Sequence, residues 1–248
     1  MLKQGDNPYT WAGCGLFVSG ALVATSSLFI LGVAWFTALG LAMIIIAIIL
    51  LALARSVPKL SPEFSRVLFE TGTENLAVLL EELAVSTRAI YLPPRLSNGK
   101  SRALIPLAGT LKAEMLKEAL PNRLIVRYGA GAQDIGLLIT TPGSAAAQLV
   151  SDKTETDTEL LSATLTAFFS GTLGLADAVN VTNENGSIRV AFSQLRHERV
   201  NDRTDRVLGS APASVATAVA AKMWDYPMII SSEGGNSRKY IVVIERLK

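Results

Sequence analysis

Residues 11 to 54 run for 44 positions without a single Asp, Glu, Lys or Arg. The hydrocarbon core of a bilayer is ~30 Å thick and takes ~20 helical residues to cross, so this stretch is too long for one span and the right length for two joined by a tight turn. The spans are read as 11–31 and 34–54, with Gly32 between them. Tyr9 and Trp11 flank the near end, while Trp35 and Phe36 flank the turn, which suits aromatic side chains at both membrane interfaces. Half of the 248 residues are hydrophobic, but outside the uncharged stretch the share falls to about 44%, ordinary for a water-soluble domain. The chain therefore divides into a helical hairpin over 11–54 and a soluble domain over 60–248.

Charge sets the expected orientation. Lys3 precedes the first span, Arg55, Lys59 and Arg66 follow the second, and the turn carries no base, which places both termini in the cytoplasm and the protein in the cell membrane as a two-span chain. A cleaved leader is the competing reading, but the first ten residues lack an apolar core with a cleavage site and a second apolar run follows directly. The spans hold no ionisable acid or base for an ion pathway. Small residues recur at four-residue spacing, Gly20 and Ala24 in one span and Ala34, Ala38 and Ala42 in the other, and these are read as packing within the hairpin.

Composition excludes several chemistries. With 23 basic and 21 acidic residues the net charge is +2, which is no footprint for nucleic acid. One cysteine, Cys14, and one histidine, His197, exclude an internal disulfide and any zinc site built from Cys and His alone. No cofactor motif is present. Gly129-Ala130-Gly131 follows a strand-like run, but Asp134 stands where a dinucleotide loop needs glycine, and a strand pattern follows where that loop needs a helix. No catalytic residue and no metal ligand is assigned.

The soluble part reads as alternating helices and β-hairpins. Ser61-Pro62-Glu63 is a helix-start pattern, and Thr71 to Glu74 matches a capping box ahead of Leu76, Leu79, Leu80 and Leu83, which share one helical face. Runs over 89–92 and 102–107 flank Asn98-Gly99, a pair that tolerates the positive φ of hairpin turns. A second box at Thr156 to Glu159 opens a helix to about Leu173, followed by runs at 178–182 and 187–193 around Asn185-Gly186. A helix over 211–223 leads to runs at 227–231 and 240–245, and a weaker helix over 111–119 leads to runs at 123–128 and 135–140. Four helix–hairpin units in two halves, 60–150 and 151–248, give an α+β (mixed α/β) fold with antiparallel pairing. Pro93, Pro94 and Pro106 place the first hairpin at a sheet edge, where a missing N–H costs nothing.

Arg196, Arg199, Arg203 and Arg206 recur at three- and four-residue spacing and would share a helical face, with Glu198, Asp202 and Asp205 between them. They are the candidate contacts for phosphate or anionic lipid headgroups. The hairpin, the helix with Leu76 to Leu83, and Ala89-Ile90-Tyr91-Leu92-Pro93-Pro94 with the glycine-rich turns together resemble uncharacterised membrane proteins common in archaea. That resemblance implies an N-terminal two-helix hairpin and a cytosolic α/β domain, and no catalytic residues. The expected function is a non-enzymatic binding, scaffold or regulatory protein anchored in the lipid bilayer, whose cytosolic module binds a partner protein, a second copy, a small ligand or the membrane surface. The alternative is a membrane-associated enzyme acting on a phosphorylated or lipid-linked substrate.

Overall fold

The computed structural model describes residues 8–56, 62–108, 111–150, 156–184, 186–196, 203–236 and 238–248. Two compact units follow one another, divided between Glu70 and Thr71.

In the first unit α1 (Pro8–Ser26) ends in a wider helical turn over Ser27–Leu31, Gly32 takes a left-handed conformation, and α2 (Ala34–Ser56) returns. Both helices are long and apolar enough to cross a membrane, and only 17% and 11% of their apolar windows are buried, which is not how the core helix of a soluble protein behaves. Gly20 and Gly40 set their contact: a Cβ on Gly40 would lie 2.6 Å from the Ala24 nitrogen and 2.7 Å from the Gly20 carbonyl oxygen. Small residues at the contact let the two backbones approach this closely. Ala34, Ala38 and Ala42 are exposed on the outside of the hairpin, so α2 packs through Gly40 and Ala47 instead. At the turn the fully buried Ser27 donates to the Val33 carbonyl at 2.7 Å and lies 2.9 Å from the Thr37 hydroxyl.

Helix α3 (Pro62–Glu82) runs without a break through the expected capping box at Thr71. Nothing between Pro62 and Gly72 stops a helix, and propagating one costs less than nucleating another. Leu80 is fully buried and Leu76 packs against the core, while Leu79 and Leu83 remain exposed.

The second unit holds one sheet of eight strands, all antiparallel: β1 (Ile90–Leu92), β2 (Arg102–Pro106), β3 (Ile125–Arg127), β4 (Ile135–Ile139), β5 (Ala178–Glu184), β6 (Ser187–Ser193), β7 (Met228–Gly235) and β8 (Lys239–Arg246), in the order β3-β4-β2-β1-β7-β8-β6-β5. The junction pairs Ile90 with Ile229 and Tyr91 with Met228, so the two halves of the chain share the sheet. The first hairpin is central, which corrects the expectation of an edge. Pro106 is the last residue of β2, and Pro93 and Pro94 lie beyond β1 in a turn, so none of the three breaks the ladder from within.

One face carries Tyr91, Ile105, Leu137, Val190, Phe192, Val242 and Ile244 beneath α4 (Pro142–Leu149), α5 (Thr158–Thr166) and α7 (Ala211–Met223). Phe169, in the wider turn that ends α5, meets Phe192 edge-on at 4.8 Å. Helix α7 consists largely of Ala, Val, Ser and Thr and is buried on nearly every side, so its neighbours approach closely. Asp157, one residue after the expected Thr156, caps α5 by accepting from the Glu159 N–H.

The opposite face, with Ile90, Leu92, Leu104 and Leu138, is covered by Leu111, Leu116 and Leu120. The helix expected over 111–119 is only a short turn at Ala113–Met115. Its backbone groups find partners outside it, with the Leu120 N–H on the Leu96 carbonyl and the Ala113 N–H on the Lys248 carbonyl, which removes the need for a helical ladder. Both halves order their strands alike, yet the link from β2 to β3 covers this face while the link from β6 to β7, through α7, covers the other.

Candidate functional site

A polar cluster, with Ser210, Tyr240, Tyr91 and Ser214 buried and Glu233 half-buried, lies where α7 meets β1, β7 and β8. Between Ile230 and Ser232 the pairing of β7 with β8 slips by one residue, from Ile230 opposite Ile244 to Ser232 opposite Val243. The extra residue reverses the alternation of side chains, so Glu233, opposite the buried Val242, turns toward the core. Arg88 secures the bulge by donating to the Ile230 carbonyl at 2.7 Å and the Ser231 carbonyl at 3.0 Å.

Glu233 then accepts from the Ser210 N–H at 3.1 Å, the Ser210 hydroxyl at 2.7 Å and the Tyr240 hydroxyl at 2.7 Å. Ser210 is the N-cap of α7, so a carboxylate from a neighbouring strand sits at the positive end of that helix. Beside it, Thr141 and Ser144 cap α4 reciprocally and Ser214 donates to Thr141 at 3.2 Å. This carboxylate is occupied by donors from its own chain, and what the arrangement does is lock α7 and α4 onto the sheet.

Tyr91 completes the cluster, its hydroxyl donating to the Leu208 carbonyl at 2.6 Å. Burial pushes its ionisation well above the usual tyrosine range, and the charge on Glu233 adds to that. The folded state thus resists ionising Tyr91, and the resulting stability is complete below the ordinary value of 10.0 and is lost as pH rises toward the raised one. Tyr91→Phe is expected to lower stability by about 1–2 kcal/mol at neutral pH. The gap between the melting temperatures of wild type and variant should narrow above pH 10.0, and a constant gap up to the end of the alkaline range would contradict this.

Of the four arginines, the structure describes Arg196, Arg203 and Arg206. Arg196 follows β6 and bonds Asp177 at 3.1 Å and the Gly174 carbonyl at 3.2 Å. Arg203 and Arg206 lie on α6 (Arg203–Leu208), where Arg203 donates to the Val85 carbonyl and approaches Glu81 at 4.0 Å, and Arg206 is exposed. Arg199 and His197 lie outside the described residues. Trp11 and Trp35 are 70% and 69% exposed on the hairpin, with Trp35 stacked on Phe36. Among the described residues no three His, Cys, Asp or Glu side chains gather to hold a metal. The turn from Gly129 to Asp134 joins β3 and β4, with the Gly131 N–H held by the Asp134 carboxylate at 2.7 Å.

A second feature lies on the surface. Strand β5 is an edge of the sheet, and an open groove of about 600 Å³ runs between it and α5, lined by Glu159, Ser162, Ala163, Thr166, Ala167, Asn180 and Val181. The Val179 carbonyl accepts from Ser162 at 3.2 Å and Thr166 at 2.9 Å, so it points away from β6. In an antiparallel pair every second residue turns its backbone the same way, which directs the N–H and C=O groups of Val181 and Asn183 outward as well. Alternating burial along β5 is legible in the sequence, but its position at the edge is not.

No protein-family model, curated protein or solved structure matches this chain.

Proposed function

We propose that this is a membrane-anchored, non-enzymatic binding or scaffold protein whose α+β domain docks an extended segment of a partner polypeptide along β5. The membrane is the cell membrane, crossed twice by α1 and α2, with both termini cytoplasmic. A repeated helix–hairpin unit belongs to the same reading, on the strength of the matching strand orders. The observation that carries the function is the edge of β5: seven residues without lysine or proline, outward-facing backbone groups, and a helix beside it whose Ala163 and Ala167 leave room for side chains. Edge strands are blunted in other proteins by charge, proline or shortness, as with the three residues of β3 at the other end. Strand addition takes affinity from such backbone groups and specificity from the adjoining groove.

Two substitutions test the edge without touching the core. Ala163→Arg fills the groove, and Asn183→Pro removes an outward N–H at an exposed position. The full chain is purified in its own lipids with chemical crosslinking, and the crosslinked residues are mapped by mass spectrometry. Crosslinks from a partner should cluster at β5 and α5 and fall at least ~10-fold in either variant, about 1.4 kcal/mol in binding. Crosslinks unchanged in both variants, at unchanged melting temperature, would refute docking at this edge. Protease added to intact cells should spare the second unit, and its digestion there would reverse the orientation.

A further inference from the structure

We infer that the first half of α3 lies in the headgroup region of the bilayer, its apolar face against lipid; this rests on the reading of α1 and α2 as membrane spans. Phe64, Val67, Leu68 and Phe69 are each more than half exposed, at 51%, 56%, 57% and 56%. At ~100° per residue Val67, Phe64, Leu68 and Phe69 span an arc of about 200°, and the charged positions 63, 66 and 70 fall within about 60° outside it. That segregation is the pattern of a helix lying in the plane of an interface.

Position and charge select lipid as the occupant. Only 57–61 separate the end of α2 from the start of α3, a reach of at most ~20 Å at ~3.5 Å per residue. The helix therefore begins close to where the second span ends, and its apolar face continues the apolar surface of the hairpin's own environment. The part from Thr71 to Glu82 carries Glu74, Glu81 and Glu82 and no base, which an anionic surface repels, and it places Leu76 and Leu80 in the sheet unit's core. Lipid contact thus stops near the division between the two compact units.

The test uses the full chain with Cys14→Ser, reconstituted in vesicles of phosphatidylcholine and phosphatidylglycerol, with single cysteines introduced as Leu68→Cys, Glu74→Cys and Leu41→Cys and labelled with an environment-sensitive fluorophore. Lipids carrying a quencher near the headgroup should reduce the signal from position 68 at least twofold and leave position 74 unaffected, while a deep quencher reduces position 41. A label at 68 that is shielded from water yet unquenched by lipid would point to a protein neighbour, such as a second copy, and overturn the inference. Quenching at 41 without quenching at 68 overturns it and leaves the anchor standing. Quenching at neither position removes the anchor reading as well.

Discussion

Replacing Glu233 with alanine is expected to cost about 3 kcal/mol and to lower the melting temperature of the second unit by about 6–12 °C. The substitution removes the acceptor for the Ser210 N–H, the Ser210 hydroxyl and the Tyr240 hydroxyl together. Ser210 and Tyr240 are themselves buried, so water does not readily replace what is lost, and hydrogen bonds to a charged group contribute more than neutral ones. The helix also loses the negative charge at its N-terminus. Glu233→Gln should fall between wild type and alanine, since an amide keeps one acceptor but turns an N–H₂ toward the remaining donors. Deleting Ser231 should resemble the alanine variant, because removal of the extra residue swings Glu233 to the other face of β7. Thermal unfolding of the purified full chain reads all three. Melting within about 2 °C of wild type for Glu233→Ala would show that the cluster contributes little.

The second large effect concerns Gly143, at the start of α4. A Cβ there would run into the Ser214 carbonyl on α7, and the Gly143 N–H donates to the Ser214 hydroxyl at 3.1 Å. Both obstacles are backbone or buried side chain, so relief requires the two helices to separate rather than one rotamer to move. Gly143→Val should lose about 3 kcal/mol or more and Gly143→Ala somewhat less, each seen as a lowered melting temperature. Gly171→Ala is the matched control, because a Cβ at that position meets nothing within 4 Å. Equal melting for the Gly143 and Gly171 alanine variants would mean that α4 and α7 are not packed as closely as described.

Neither Gly143 nor Glu233 stands out in the amino-acid sequence. Helix α4 is weakly marked in the sequence although Thr141-Pro142-Gly143-Ser144 carries a start signal. The residue three after the cap is serine rather than the glutamate or glutamine of the familiar box, and the helix has only eight residues. Glu233 lay within a run that reads as turn, since Gly234 and Gly235 follow it, and a bulge leaves no periodic trace in one strand alone. The arginines that the structure describes fall in two places, Arg196 after β6 and Arg203 and Arg206 on α6, which their spacing alone does not foretell. The helix over 211–223, by contrast, is legible residue for residue, because Pro212 stands at its start and six alanines carry it to Met223 without a glycine or a second proline.

Local chemistry determined the rest of what could be read in advance. An uncharged stretch of 44 residues reads as two long apolar helices, and Asn-Gly and Gly-Gly pairs between β-rich runs place turns between antiparallel strands. Which strands lie at the edges, which face the 107–124 segment covers, and where Glu233 points were decided by tertiary structure. Strand order and register depend on pairings between residues as distant as Tyr91 and Met228, and the stabilisation of those pairings comes from surfaces that exist only once both halves have met.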